Sequence, residues 1–139
     1  MSANLLDGIT PILFNGTTES DGIYHHAART DTSGHDDWLR YIFPEQSALS
    51  ANQTFHVGLS VKGASANSAS LRATIGYRDA TGDVNWAPSD WLSIGTSWGR
   101  AEATLVVPSG MMPFRFYVAA YGTCPETWMA SPTLSYGST

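Results

Sequence analysis

Apolar and polar residues alternate along four segments of the chain, and this alternation predicts β-strands. The four segments are residues 54–62, 70–78, 100–107 and 114–121, each bounded by Gly, Pro, Asn or Ser. Weaker patterns predict four further strands at residues 12–14, 38–43, 91–94 and 133–136. About eight short antiparallel strands indicate an all-β fold, a two-sheet antiparallel β-sandwich of the jelly-roll type.

Three other segments are less regular. Residues 36–43 also fit a short helix, because Asp36 is a favourable cap and Pro44 ends either kind of element. Residues 15–37 and 79–90 are polar and rich in turn-forming residues, so we expect two ordered loops there. Loops of this length in a compact domain are often functional.

The composition fits one domain that spans residues 1–139. Charged residues make up 14% of the chain, against an average near 25%, and the net charge of −5 argues against a nucleic-acid partner. Cys124 is the only cysteine, which excludes an internal disulfide and a thiolate metal cage. The first residues lack the basic region and apolar run of a signal peptide, so we expect none, and no apolar run is long enough for membrane insertion.

Alternation divides each strong strand into a core face and an outer face. The predicted core residues are Phe55, Val57, Leu59, Val61, Leu71, Ala73, Ile75, Tyr77, Phe114, Phe116, Val118 and Ala120. The outer faces of the same three strands hold four of the seven cationic residues and no carboxylate. The long outer side chains are His56, Lys62, Arg72, Arg78, Arg115, Tyr117 and Tyr121. If these strands share one sheet, its outer face is a shallow trough, with residues 100–107 in the opposing sheet.

A trough of this composition suits saccharides. Arginine binds vicinal hydroxyl groups with a planar fork, and aromatic rings stack on the apolar faces of sugar rings. The cationic excess favours a ligand with phosphate or carboxylate groups. The alternative is a solvated face whose arginines pair with carboxylates from the loops.

The five tryptophans have different predicted roles. Trp86 and Trp91 lie in a long loop and are predicted to contact the ligand at the edge of the trough. Trp38 is predicted to face the trough beside its strand neighbour Arg40. The other two, Trp98 and Trp128, are predicted to pack in the core or at its edge.

Candidate catalytic and metal-binding groups are concentrated in the loops. The densest cluster consists of His25, His26, Asp31, His35, Asp36 and Asp37. Its spacing matches no zinc pattern, so we expect a solvated loop whose side chains reach a bound sugar. A catalytic triad or carboxylate pair needs groups on rigid elements, but the strong strands offer only His56 and no acid on the trough face. The chain is therefore predicted not to be an enzyme.

Several sequence segments, in this order along the chain, resemble those of the carbohydrate-binding modules of families 4, 9 and 22, a superfamily of galactose-binding-like jelly rolls. The segments are Asn4-Leu-Leu6, Val57-Gly-Leu-Ser-Val-Lys-Gly63, Ile75-Gly-Tyr-Arg-Asp-Ala-Thr-Gly82, Ser97-Trp98 and Trp128-Met-Ala-Ser-Pro-Thr-Leu-Ser-Tyr-Gly137. The last segment is especially similar to modules of bacteriophage tail and baseplate proteins. The resemblance covers almost the whole chain and implies a β-sandwich that holds saccharides of a host surface.

The resemblance also implies a structural calcium ion, which many such modules hold between the N-terminal segment and the last strand. Asp7 lies where an acidic ligand is expected, whereas Met129-Ala-Ser131 stands where these modules often have an acidic pair. A calcium ion usually takes more than one carboxylate. We therefore expect no required cofactor, with Asp7 as the candidate ligand of a calcium ion.

Together these features predict a non-catalytic module that binds a host glycan or wall polysaccharide. The resemblance places it in the virion, in a tail or baseplate, or on another extracellular surface, within a larger multimeric assembly. Weak single sites would then act together through avidity. Two alternatives remain: a structural domain that uses the same face for subunit packing, and a peptide-binding module.

Overall fold

The computed structural model describes residues 4–136, which form ten β-strands in two antiparallel sheets. The strands are β1 Ile12–Leu13, β2 Gly16–Ser20, β3 Ile23–His26, β4 His35–Ile42, β5 Gln53–Gly63, β6 Asn67–Arg78, β7 Val84–Ile94, β8 Gly99–Val107, β9 Met112–Tyr121 and β10 Thr127–Tyr136. Sheet A has the order β1-β4-β9-β6-β7, and sheet B has the order β2-β3-β10-β5-β8. The predicted two-sheet sandwich is confirmed. No helix in residues 4–136 is long and apolar enough to cross a membrane.

All eight predicted strands exist, and the polar segments add two more. The helix considered for residues 36–43 is wrong, because strand β4 pairs with β9 from His35, opposite Tyr121, to Ile42, opposite Arg115. The predicted loop at residues 15–37 contains β2 and β3, which pair with each other. The predicted loop at 79–90 contains the first part of β7, an edge strand of sheet A, where Pro88 is tolerated.

The apolar faces of both sheets meet in one buried core. All the residues predicted for this core are buried except Tyr77, which is partly buried and packs against it. Phe114 is buried but lies outside the core cluster. As predicted, β8 lies in the sheet opposite β6 and β9, but it shares that sheet with β5. Its residues Leu105 and Val107 face inward.

Irregular pairing in sheet A changes which side chains face outward. In β4, Asp37 lies opposite Ala119 and Leu39 opposite Val118, so Trp38 is the extra residue of a β-bulge. Trp38 therefore turns into the core, where it is 2% exposed. The prediction that Trp38 faces the trough is wrong because simple alternation does not continue through this bulge.

Two more bulges lie in β9 and β7. In β9, Phe114 is the extra residue, since Arg115 lies opposite Gly76 and Pro113 opposite Tyr77. In β7, the three residues from Pro88 to Trp91 lie opposite two residues on β6, since Pro88 pairs with Thr74 and Trp91 with Arg72. Trp86 and Trp91 are an odd number of residues apart, so regular alternation would place them on opposite faces. The bulge between them brings both side chains to the same face of sheet A.

Candidate functional site

The outer face of sheet A contains a groove of about 350 Å³. Its lining residues are His35 and Asp37 from β4, Arg72 and Thr74 from β6, Trp86 and Pro88 from β7, and Tyr117 and Tyr121 from β9. Four neighbouring strands thus contribute to one concave surface. Because the side chains stand on hydrogen-bonded strands, their spacing is set by the register of the sheet.

One wall of the groove is an aromatic pair that spans β6. The ring of Trp86 meets that of Tyr117 edge-on, with 5.2 Å between centroids and 66° between planes. Gly76 makes room for this contact, because a Cβ there would lie 2.7 Å from Cζ3 of Trp86. On β9, Nη1 of Arg115 donates a hydrogen bond of 3.2 Å to the Tyr117 hydroxyl. The rings of Trp86 and Tyr117 are therefore held in place by contacts with β6 and β9.

The opposite wall is formed by Tyr121 and Arg72, which line the groove, and Trp91 contacts both of them from outside the lining. Trp91 meets Tyr121 edge-on at 5.5 Å and 83°. The guanidinium carbon of Arg72 lies 4.2 Å from the centroid of the Trp91 ring and 5.7 Å from that of Tyr121. His35 stacks on Tyr121 with 4.8 Å between ring centroids. In the bulge before Trp91, Oγ of Ser89 accepts a hydrogen bond of 3.1 Å from the backbone N–H of Ala73.

Seven of the nine predicted site residues lie on the outer face of sheet A. They are Arg72, Arg78, Arg115, Tyr117, Tyr121, Trp86 and Trp91. Among them, Arg78, Arg115 and Trp91 are outside the groove lining, and Nε of Arg78 lies 3.7 Å from a carboxylate oxygen of Glu45. The guanidinium groups of Arg78 and Arg115 both lie over the ring of Phe114, at 4.6 and 4.8 Å.

The other two predicted site residues, His56 and Lys62, belong to sheet B. The prediction that β5 shares a sheet with β6 and β9 is wrong, because β5 pairs with β8 and β10. His56 lies 3.5 Å from Glu102 on the neighbouring strand. The Lys62 ammonium lies 4.9 Å from the Trp128 ring centroid and 5.6 Å from the Trp98 ring centroid.

The structure also corrects the predictions for the two remaining tryptophans. Trp98 is 44% exposed on the outer side of sheet B, so it is not a core residue. Trp128 is partly buried, but it lies opposite Lys62 on the outer face of sheet B, 5.0 Å from the ring of His25, and does not pack against the core cluster.

Four lining residues were not among the nine predicted site residues, although two of them belong to the histidine and aspartate cluster that was expected to reach a bound sugar. These are His35, Asp37, Thr74 and Pro88. His35 and Asp37 share one face of β4, and their alternation was hidden because the segment was treated as a loop. Asp37 lies 3.8 Å from Arg40, whose guanidinium carbon is also 5.2 Å from the centroid of the Tyr117 ring.

The predicted histidine and aspartate cluster is dispersed. His26 is fully buried, and its Nε2–H donates to the carbonyl oxygen of Trp38 at 3.1 Å. Burial lowers the pKa of His26 to about 4. His25 instead contacts Glu126, with 2.6 Å between Nε2 and Oε2. Hydrogen bonds from the backbone and hydroxyl of Ser33 lower the pKa of Asp31.

The surroundings of Asp7 do not fit a calcium ion. A second pocket of about 350 Å³ contains Asp7, whose carboxylate accepts a hydrogen bond of 3.1 Å from the Asn4 side chain. Asp7 is the one carboxylate in the lining of this pocket, and Met129 is fully buried in the core. Within residues 4–136, no group of three or more His, Cys, Asp or Glu side chains is arranged to hold a metal ion.

Comparison with solved structures shows the fold of this chain among known proteins. Structures similar to it include the CBM22-1–GH10 modules of the Clostridium thermocellum endo-1,4-β-D-xylanase 10B complexed with xylohexaose (TM-score 0.57, 13% identity, 96% of this chain and 26% of that one). Another is the CBM22-1 xylan-binding domain from Paenibacillus barcinonensis Xyn10C (0.51, 13%, 100% and 86%). A third is the family 11 carbohydrate-binding module of Clostridium thermocellum in complex with a β-1,3-1,4-mixed-linked tetrasaccharide (0.52, 13%, 99% and 95%).

At these identities the likeness shows a shared fold, the β-sandwich of carbohydrate-binding modules. The chain spans about a quarter of the xylanase chain and most of the other two. No protein-family model matches the chain, and no curated protein matches it in sequence.

Proposed function

We propose that the groove on sheet A binds a saccharide chain and that the protein is a non-catalytic carbohydrate-binding module. The observation that supports this most strongly is the arrangement of the two aromatic pairs, Trp86 with Tyr117 and Trp91 with Tyr121. Both pairs are fixed in place, and three of their four rings, those of Trp86, Tyr117 and Tyr121, line the groove. A preformed aromatic site lowers the entropy cost of binding.

The dimensions of the groove suit sugar rings. Tyr117 and Tyr121 are four residues apart on β9, which places their Cα atoms about 13 Å apart. Ala119 lies between them on the same face and leaves the floor low, while Thr74, Asp37 and Arg72 provide hydrogen-bonding groups. Aromatic walls with polar groups at the base match a pyranose ring, which has apolar C–H faces and a polar edge.

The lining gives no basis for glycoside hydrolysis. That reaction commonly uses two carboxylates across the scissile bond. Asp37 is the one carboxylate among the groove residues, and it lies 3.8 Å from Arg40. The fold shared with carbohydrate-binding modules agrees with a role in binding.

The sequence supports a biological setting for this module. The segment that begins at Trp128 resembles those of bacteriophage tail and baseplate modules, so we place the protein in a virion tail or on another extracellular surface. There it would hold a host glycan or wall polysaccharide, and several copies within a multimeric assembly would raise the overall avidity.

A glycan array and affinity electrophoresis test the proposal with three proteins: wild type, Trp86→Ala and Trp98→Ala. Trp98 is a matched control because it is 44% exposed, against 49% for Trp86, but lies on the other sheet. We expect about fivefold to thirtyfold weaker binding for Trp86→Ala, since a stacked ring contributes on the order of 1–2 kcal/mol. Equal losses in both variants, or none in either, would contradict the site.

One observation favours a second candidate, the packing of a neighbouring subunit on the same face. Ile12, Ile42 and Val84 pair with the outward-facing residues of sheet A and are 45%, 48% and 38% exposed. Light scattering distinguishes the two functions. Subunit packing predicts an oligomer that Ile42→Asp dissociates, whereas an open groove predicts the same mass for wild type and variant.

A further inference from the structure

Arg72 differs from every other arginine among the described residues. Its side chain makes no hydrogen bond and no ion pair within residues 4–136, although it lines the groove. The other five arginines each have such a partner. Arg29 pairs with Asp36, Arg40 with Asp37 and Arg78 with Glu45, while Arg100 donates to Thr133 and Arg115 to Tyr117.

The guanidinium of Arg72 is also partly shielded from solvent. Its Nε is buried and has no hydrogen-bond partner among the described residues. The Nε atoms of Arg40 and Arg115, on the same face, share this condition. Because the positive charge is delocalised over the guanidinium group, part of an unpaired charge has lost its contact with water. Such a charge is stabilised when an anion binds beside it.

The distribution of charge on the outer face of sheet A also indicates an anionic ligand. The protein has a net charge of −5, yet the outer face of sheet A carries Arg40, Arg72 and Arg115 while the groove has one carboxylate, Asp37, which already contacts Arg40. Acidic residues are plentiful elsewhere on the chain, but no carboxylate pairs with Arg72 among the described residues. A neutral sugar accepts hydrogen bonds from an arginine but leaves its charge uncompensated, whereas an anionic group also neutralises that charge.

Contacts with aromatic rings keep Arg72 in position. Its guanidinium lies beside the Trp91 ring, while Tyr121 and His35 complete the wall. This contact restricts the side chain without neutralising it. Thr74 is two residues along the same face of β6 and also lines the groove, so its hydroxyl is available to the same ligand.

We infer that the groove recognises an acidic saccharide and that Arg72 binds its carboxylate or phosphate group. This inference rests on the proposed saccharide-binding function and specifies the ligand class. A uronic acid and a phosphodiester-linked wall polymer both supply the required anion. An arginine fork binds either one with two charge-assisted hydrogen bonds.

Matched neutral and charged probes test the inference by isothermal titration calorimetry. One pair is trigalacturonic acid and its methyl ester. The other is glucosylated poly(glycerol phosphate) and neutral glucosylglycerol. The proteins are wild type, Arg72→Gln, Arg72→Lys and Arg78→Gln, the last being a control because Arg78 lies outside the groove lining and contacts Glu45. Circular dichroism verifies that each variant is folded.

We expect wild type to bind one charged probe at least tenfold more tightly than its neutral partner, and to lose this preference between 50 and 500 mM salt. Arg72→Gln should bind both members of the pair alike. Arg72→Lys should keep part of the preference, and Arg78→Gln should keep all of it. The pair that shows the preference identifies a carboxylate or a phosphate as the anion.

Two results overturn the inference while leaving the groove as a saccharide site: equal wild-type affinity for charged and neutral probes, or an undiminished charge preference in Arg72→Gln. If wild type binds no saccharide on the glycan array and neither pair of probes, the proposed function fails and the inference fails with it.

Discussion

Protonation of His26 should destabilise the fold at mildly acidic pH. The ring is fully buried, stacks on Trp38 at 4.7 Å between centroids, and donates through Nε2 to the Trp38 carbonyl. Its Nδ1 is buried without a hydrogen-bond partner among the described residues. A second proton would therefore place an N–H without an acceptor, and a charge, in the core.

The expected loss follows from linkage. Burial is the main cause that lowers the pKa of His26 from 6.5 to about 4; the hydrogen bond to the Trp38 carbonyl opposes this shift, and neighbouring His25 adds to it. Between these values the unfolded chain binds more protons than the native protein, so stability falls as pH falls from 6.5 to about 4. At 1.36 kcal/mol for each pKa unit, the change between pH 7 and pH 4.5 is about 2 kcal/mol.

Urea unfolding of wild type and His26→Gln at pH 7 and pH 4.5 measures this change. The glutamine amide is able to donate to the Trp38 carbonyl but does not titrate, so the variant should lose about 2 kcal/mol less than wild type on acidification. If the variant does not fold, an NMR titration of wild type should show His26 changing charge near pH 4. The same acid-induced loss in both proteins, or titration of His26 near 6.5, would refute the reasoning.

Two further changes test the architecture of the groove and the core. Gly76→Val should push the Trp86 ring away from β6, because the new Cβ would lie 2.7 Å from Cζ3, and so weaken saccharide binding several-fold. Gly99→Ala is the control, since the nearest atom to its new Cβ lies 4.0 Å away. Unchanged saccharide binding and an unchanged near-ultraviolet circular dichroism spectrum in Gly76→Val would contradict the described packing of Trp86. Phe116→Ala removes a fully buried ring and should reduce the free energy of unfolding by about 3–5 kcal/mol in urea titrations, whereas a loss below about 1 kcal/mol would show that the core packs differently.

The strong strands could be predicted from the sequence because alternation alone specifies a half-buried strand. Val57 and Leu59 on β5, or Ala73 and Ile75 on β6, face the core as the pattern requires. Alternation does not say which strands pair, however. His56 and Lys62 were therefore assigned to the face of Arg72, although β5 pairs with β8 and β10 in the other sheet.

The bulges account for the other differences. One extra residue reverses the alternation, and nothing in the local sequence around Trp38 or Phe114 marks it. The edge strand β7 was hidden by Pro88 and by polar residues that an edge strand tolerates. The two tryptophans of β7 were nevertheless predicted as ligand residues, since aromatic side chains beside a proline in a polar segment indicated an exposed contact surface.

The central claim is that sheet A, and not sheet B, holds the saccharide. An NMR titration of the wild-type tryptophan indole N–H resonances with a saccharide that binds on the glycan array tests it most directly. We predict that the Trp86 and Trp91 resonances shift while those of Trp98 and Trp128 stay in place. Shifts confined to Trp98 and Trp128 would place the ligand on the opposite sheet and contradict the account.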